Sequence, residues 1–112
     1  MATDLFDSCV RDKGDLAGVF EYDGETGYFY LYDVSVGDQR VVDSIHVLSG
    51  STDLEDGDIS VRWDDANVRV SLFVRNVQWA VFNCATGAKF GGDYQRDGTP
   101  QIPDEEAFQA LH

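Results

Sequence analysis

Arg62, Arg69 and Arg75 stand close together in a chain that is otherwise acidic, in the alternating segments VRW at 61–63 and RVSLFVR at 69–75. Guanidinium groups are planar forks that grip carboxylates and phosphates through paired hydrogen bonds, so a row of them makes an anion site. In the pairing read from the sequence, Arg62 lies opposite Arg69. Like charges facing each other across a sheet destabilise it unless an anion sits between them. Two occupants are open. One is the chain's own Glu105, Glu106 or another carboxylate, with Phe108 packing over Phe73 and Phe82; the other is a carboxylate or phosphate of a small ligand. Tyr28, Tyr30 and Tyr32 recur at every second residue of GYFYLYDV at 27–34. That spacing sets their rings along one side of a strand, either as a half-buried face with hydroxyls in water or as a platform for a stacked ligand.

Other chemistries fail on spacing. Nucleophilic catalysis by Cys84 or a serine needs a histidine held by a carboxylate, and only His46 and the terminal His112 exist. His46, flanked by apolar residues, reads as a packed or edge histidine. The loop Asp53-Leu54-Glu55-Asp56-Gly57-Asp58 invites a calcium reading, but aligning Gly57 with the glycine of an EF-hand puts Leu54 and Trp63 where carboxylates are required. Cys9 and Cys84 form no C-x-x-C pair, and the chain has no G-x-G-x-x-G, Walker loop or H-E-x-x-H. No catalytic residue, metal ligand or cofactor is assigned. The reading leans away from an enzyme, although a carboxylate site among 21 acidic residues leaves little trace.

The balance of 21 acidic against 8 basic residues gives a formal net charge of -13. Such a field repels nucleic acid and anionic membrane surfaces, which excludes both as partners and favours a basic protein, or a second copy of the chain. It also keeps a protein soluble without any functional role. The first residues, MATDLFDSCVRDKGD, lack a basic start followed by an apolar run, and no stretch approaches the roughly 18 apolar residues of a membrane span. A cytoplasmic protein with reduced thiols is expected.

The residues singled out must be held by strands. Ile59 to Asn83 alternates Ile59, Val61, Trp63, then Val68, Val70, Leu72, Val74, then Val77, Trp79, Val81 with other residues, a period of two that marks three half-buried antiparallel strands. Asp64-Asp65-Ala66-Asn67 and Arg75-Asn76 supply the turns. This predicts Trp63 opposite Val68, Val61 opposite Val70, Ile59 opposite Leu72, Leu72 opposite Trp79 and Val70 opposite Val81, with Arg69, Phe73 and Phe82 on the outer side. Ala17–Tyr22 and 27–34 form an earlier hairpin through Asp23-Gly24-Glu25-Thr26, and the second of these strands, apolar on both sides, is central in its sheet. After a turn at Gly37-Asp38-Gln39, a strand over Arg40–Leu48 follows, with Asp43 near an edge. Leu5, Phe6, Cys9 and Val10 are spaced for a short helix capped by Thr3, with an irregular arm as the alternative. Ala88-Lys89-Phe90 reads as a short strand, 91–100 as loop, and Pro103 to Leu111 as a short helix capped by Asp104 with Phe108 and Leu111 buried.

Three fragments, DGETGYFYLYD at 23–33, VVDSIHVL at 41–48 and VRWDDANVRVSLFVRNVQWAVFN at 61–83, resemble a family of small bacterial proteins, a domain of unknown function. In that family a G-E-T-G-Y-F-Y turn and strand precede a D-[AS]-[LI]-H strand and a W-[SD]-x-D hairpin ending in A-V-F-[DN]. The resemblance spans 18–83, implies a compact bacterial domain, and brings no catalytic residues with it.

Together these readings predict a single, mostly β domain over 1–112. Its β core covers 17–90, a short helix or arm covers 1–16, and a loop with a C-terminal helix covers 91–112. About six or seven antiparallel strands in meander order close into a sandwich or open barrel. The leading functional expectation is a non-enzymatic cytoplasmic interaction module that binds a basic protein or dimerises through a strand edge. The alternatives are an acidic, immunity-type inhibitor of a basic toxin or nuclease, and a small-molecule anion binder or enzyme that uses Arg62, Arg69, Tyr28, Tyr30 and Tyr32.

Overall fold

The computed structural model describes residues 4–35, 40–94 and 102–107. The chain is mostly β. Its strands are β1 (Leu5–Val10), β2 (Leu16–Tyr22), β3 (Thr26–Asp33), β4 (Arg40–Ser49), β5 (Ile59–Trp63), β6 (Arg69–Val74), β7 (Val77–Asn83) and β8 (Lys89–Phe90). They form two four-stranded antiparallel sheets, β1-β2-β3-β4 and β5-β6-β7-β8, each with neighbouring strands consecutive in the chain. Short loops make this order the natural one, since each strand pairs with the next before a distant one can compete.

Tight turns fix the registers. In the β2–β3 hairpin the Asp23 carboxylate accepts the amides of Glu25 and Thr26 at 2.9 and 2.8 Å, while Gly24 takes a φ of 95° that a side chain disfavours. Arg75 and Asn76 both have positive φ, the mirror-image turn whose twist suits a two-residue hairpin, and Val74 faces Val77 across the expected Arg75-Asn76 turn.

Both sheets contribute to one apolar core. Phe20, Phe29, Leu31, Ile45, Val47 and Leu48 come from the first; Val61, Val70, Leu72, Val74, Trp79 and Phe82 come from the second. The rings of Phe29 and Phe82 meet across it with centroids 5.0 Å apart. At the closest approach the first sheet carries Gly18, where an added Cβ would lie 2.5 Å from Val70 and 2.9 Å from Val61. Near β5 the sheets are stitched by polar groups: the Val61 amide donates to the Asp7 carboxylate at 2.7 Å, and the Trp63 indole donates to the Cys9 carbonyl at 2.9 Å. Arg11 lies over the Trp63 ring at 5.5 Å and pairs with Asp15, whose carboxyl is lowered to about 2 by that hydrogen bond and charge.

Several expectations are corrected. Residues 5–10 are a strand, not a helix or arm. An inward Asp7, bound to the second sheet, interrupts the alternation, while the outward Phe6 and Val10 imitate helical spacing. The β5–β6 hairpin is displaced by two residues, with Trp63 opposite Val70 and Val61 opposite Leu72. The Asp64 carboxylate draws in the amides of Val68 and Arg69, and Asn67 adopts a left-handed φ of 59°, which lengthens the loop. A shift of two keeps every side chain on its face. A bulge between Leu72 and Phe73 of β6 leaves Trp79 as the extra residue of β7, so Leu72 faces Ala80 and Val70 faces Phe82. Phe82 therefore turns inward and Val81 outward, the reverse of the predicted sides. Trp79 remains buried, its indole donating to the Gly92 carbonyl at 2.7 Å. Asp104–Glu106 is a single 3-10 turn with Pro103 at its cap position, and Ala107 is already extended. Thr3, the turn at 37–39, the 95–100 part of the predicted loop, Phe108, Leu111 and His112 lie outside the described residues.

Gly18→Ala should lower the unfolding free energy by about 1–3 kcal/mol, the usual cost of overpacking a filled core. Urea denaturation would show a lower midpoint at unchanged slope, whereas wild-type stability would mean the sheets do not approach closely there.

Candidate functional site

The two groups of residues with chemical promise face away from the core on different sheets. Ser60, Arg62, Arg69, Ser71, Phe73, Gln78, Val81 and Asn83 share the outer side of the second sheet, as their register pairs require. Arg62 stands opposite Ser71, not Arg69, with its guanidinium 5.7 Å from the centre of the Phe73 ring. Arg69 is held by the C-terminal segment. Its Nε donates to Glu106 Oε1 at 2.7 Å, its Nη2 donates to the Glu105 carbonyl at 2.9 Å, and its Nη1 lies 3.6 Å from Asp64 Oδ2. That ion pair is the compensation for Asp64 Oδ2, a buried oxygen with no hydrogen bond.

Glu106 is 5% exposed, and Asn83 also donates to its carboxylate at 2.9 Å. Burial alone would raise its pKa; the hydrogen bonds from Arg69 and Asn83, with the charge of Arg69, outweigh that and hold it below the usual carboxylate range. Gln78 completes the strap by donating to Ser71 Oγ and to the Glu106 carbonyl, both at 3.0 Å. Arg75 sits at the β6–β7 turn, paired with Asp53 at 3.3 Å and Asp58 at 3.6 Å. Arg69 and Arg75 thus meet carboxylates of the chain itself, while Arg62 lies over an aromatic ring.

The tyrosines occupy the outer side of the first sheet, where the registers of four strands generate a grid. Phe6, Glu21, Tyr28 and His46 face one another in one row, Ser8, Val19, Tyr30 and Ser44 in the next, and Val10, Ala17, Tyr32 and Val41 in a third. Tyr28 and Tyr30, and Tyr30 and Tyr32, have ring centroids 5.7 Å apart, and the His46 ring lies 5.0 Å from Tyr28. His46 Nε2 is 2.9 Å from the Leu48 carbonyl, which occupies one ring nitrogen. Beside this ladder a depression of about 430 Å³ is lined by Asp4, Phe6, Glu21, Asp23, Tyr28 and Tyr30, among others. Burial, and then the charge of Glu21, raise the Tyr30 hydroxyl above its ordinary value. The sheets' opposite orientations keep the tyrosines and arginines from forming one site.

Cys9 and Cys84 are free and half-buried, and burial pushes the Cys84 thiol up, away from the reactive thiolate. Among the described residues no group of three or more His, Cys, Asp or Glu is arranged to hold a metal ion. In the acidic loop Asp53 and Asp58 pair with Arg75, and Asp58 accepts the Glu55 amide at 3.0 Å. No helix among the described residues is long and apolar enough to cross a membrane. The residues that sequence reasoning missed are Phe6 and Val10, assigned to a helix, and Glu21, a single acidic residue among many. The alternation of Phe6, Ser8 and Val10 was the available signal.

Fold and face define an all-β protein of two antiparallel meanders, one of which turns an aromatic surface outward. The chain belongs to the family described as "uncharacterized protein conserved in bacteria (DUF2251)", whose model matches residues 2–110. It is similar to an uncharacterized protein of Haemophilus influenzae (strain ATCC 51907 / DSM 11121 / KW20 / Rd), with 38% identity over 72 residues, 62% of this chain and 45% of that protein. The match therefore spans less than half of the relative's length. No solved structure matches the chain.

Glu106→Gln should destabilise the protein by about 1–3 kcal/mol at neutral pH, because Arg69 loses its charged acceptor. A depressed folded-state pKa stabilises above the unfolded value, about 4.3, and that contribution fades as pH falls through the folded one. The difference between wild type and variant, followed by chemical denaturation, should shrink below about pH 4.5. A constant gap would mean Glu106 is not ionised against Arg69.

Proposed function

We propose that the chain is a non-enzymatic cytoplasmic binding module, a β-sandwich that meets a partner protein with the outer face of β1–β4. The observation that carries this is the exposure of Phe6 at 59%, Val10 at 54% and Val41 at 48% on the same face as the tyrosine row. Apolar and aromatic side chains left in water cost solubility, and contiguous ones mark interaction surfaces. Tyrosine is also among the residues that dominate interface energies, because a rigid ring and a hydroxyl cover much area at little entropic cost.

The competing readings have less support. An anion site on the arginines must displace Glu106 from Arg69. Dimerisation through β4 has to use a strand with two register shifts, whose Ser44 carbonyl already accepts from Lys89 at 3.0 Å. Bulged and charged edges make poor templates for a further strand. An immunity-type role remains one form of the proposal, with a basic toxin or nuclease as partner, and the net charge of -13 supports it.

Affinity capture from a lysate of a bacterium encoding the family tests the face. A Phe6→Ser, Tyr30→Ser double variant that keeps the wild-type thermal midpoint should retain its partner at least about tenfold more weakly, as loss of central aromatic contacts does. Arg75→Ala, on the other sheet, should retain it normally. Equal retention by the double variant, or a monomer that captures nothing, would contradict the proposal.

A further inference from the structure

We propose that Glu21, with Phe6 and Tyr28 as its cross-strand neighbours, is the seat for an arginine side chain of a basic partner protein. This rests on the binding face described above and names what it recognises. Glu21 on β2 is directly opposite Phe6 on β1 and Tyr28 on β3. Facing residues in an antiparallel sheet have Cβ atoms about 5 Å apart, so an arginine approaching this carboxylate meets an aromatic ring on each side. The third neighbour, Tyr30, lines the same depression of about 430 Å³, which has ample room for one long side chain. Among the described residues its lining holds no lysine, arginine or histidine, and three of its members are carboxylates, Asp4, Glu21 and Asp23.

The carboxylate is open to a foreign cation. Among the described residues ion pairs engage Asp15, Asp43, Asp53, Asp58, Asp64 and Glu106, and none involves Glu21, Asp4 or Asp23. Glu21 is exposed, and its own sheet places no lysine or arginine in its row, only Phe6, Tyr28 and His46. Burial first, and the charge of Glu21 after it, raise the neighbouring Tyr30 hydroxyl above its ordinary value. A guanidinium suits this arrangement better than an ammonium: its fork matches the carboxylate, its flat faces stack on rings, and it is less strongly hydrated. The net charge of -13 would steer a basic segment toward the protein, and the rings would decide where it stops.

The probe is an acetylated, amidated hexapeptide with a central Arg-Arg pair, titrated into the full-length ¹⁵N-labelled protein and followed by amide chemical shifts. Shifts should concentrate at Phe6, Glu21, Tyr28 and Tyr30. Replacing both arginines by neutral citrulline should weaken binding at least about tenfold, and by lysine about threefold. The exposed Glu21→Gln should cost about tenfold, and Tyr28→Leu, which leaves the charge untouched, about threefold. Shifts spread over the acidic loop at 53–58 and undiminished in Glu21→Gln would reduce the effect to bulk charge and overturn the arginine seat. If the peptide fails while partner capture still depends on Phe6 and Tyr30, the seat is wrong and the binding face stands. If capture is also independent of those residues, both fail.

Discussion

Gly18 has no side chain, and the second sheet occupies the space where one would be. Val70 and Val61 press against that backbone, and a few residues away Phe29 and Phe82 close the gap between the sheets. The consequence runs through the whole molecule because strand alternation leaves no freedom once one face is buried. With Phe20, Phe29 and Leu31 inward, Tyr28, Tyr30 and Tyr32 must point outward, and β1, paired to β2, must present Phe6 and Val10 beside them. The aromatic surface is therefore coupled to the core by geometry, and it persists as long as the core does.

The same alternation treats the two outer faces differently. On the second sheet the chain covers its own surface: the turn at Asp104–Glu106 inserts a carboxylate beside Arg69, Asn83 and Gln78 and satisfies donors that would otherwise face solvent. Neutralising charge there leaves that face polar and internally committed. No comparable strap among the described residues crosses the tyrosine ladder. Among the described residues no ion pair engages Asp4, Glu21 or Asp23 beside the ladder, and this contrast within one acidic molecule separates a sheet face committed to the chain itself from one left open.

Much of this was legible from residue order alone. Periods of two marked β2 through β7, Asp-Gly and Arg-Asn marked two turns, and GYFYLYDV announced a central strand with a tyrosine side. The resemblance to a family of uncharacterised bacterial proteins also holds, and the family model carries it beyond 18–83 to residues 2–110. What escaped has physical causes. Bulges are invisible to a strict alternation, so the inward turn of Phe82 was missed. A polar residue serving the opposite sheet, Asp7, hid β1. The loop after Trp63 was misjudged because its length depends on where the Asp64 carboxylate finds amides, a choice made in three dimensions. Arg69 drew attention for its charge, and the structure pairs it with Glu106. Glu21 drew none, because its meaning comes only from neighbours on two other strands.

The relation between the core and the tyrosine face can be observed without any partner. Nuclear Overhauser contacts among aromatic protons in solution report directly which rings share a side of each sheet. Strong cross-peaks are expected between Phe29 and Phe82, further ones linking Tyr28, Tyr30 and His46, and none from Tyr28, Tyr30 or Tyr32 to residues of β5–β8. Cross-peaks from those tyrosines to Val61, Val70 or Leu72, with Phe29 silent toward Phe82, would contradict this arrangement.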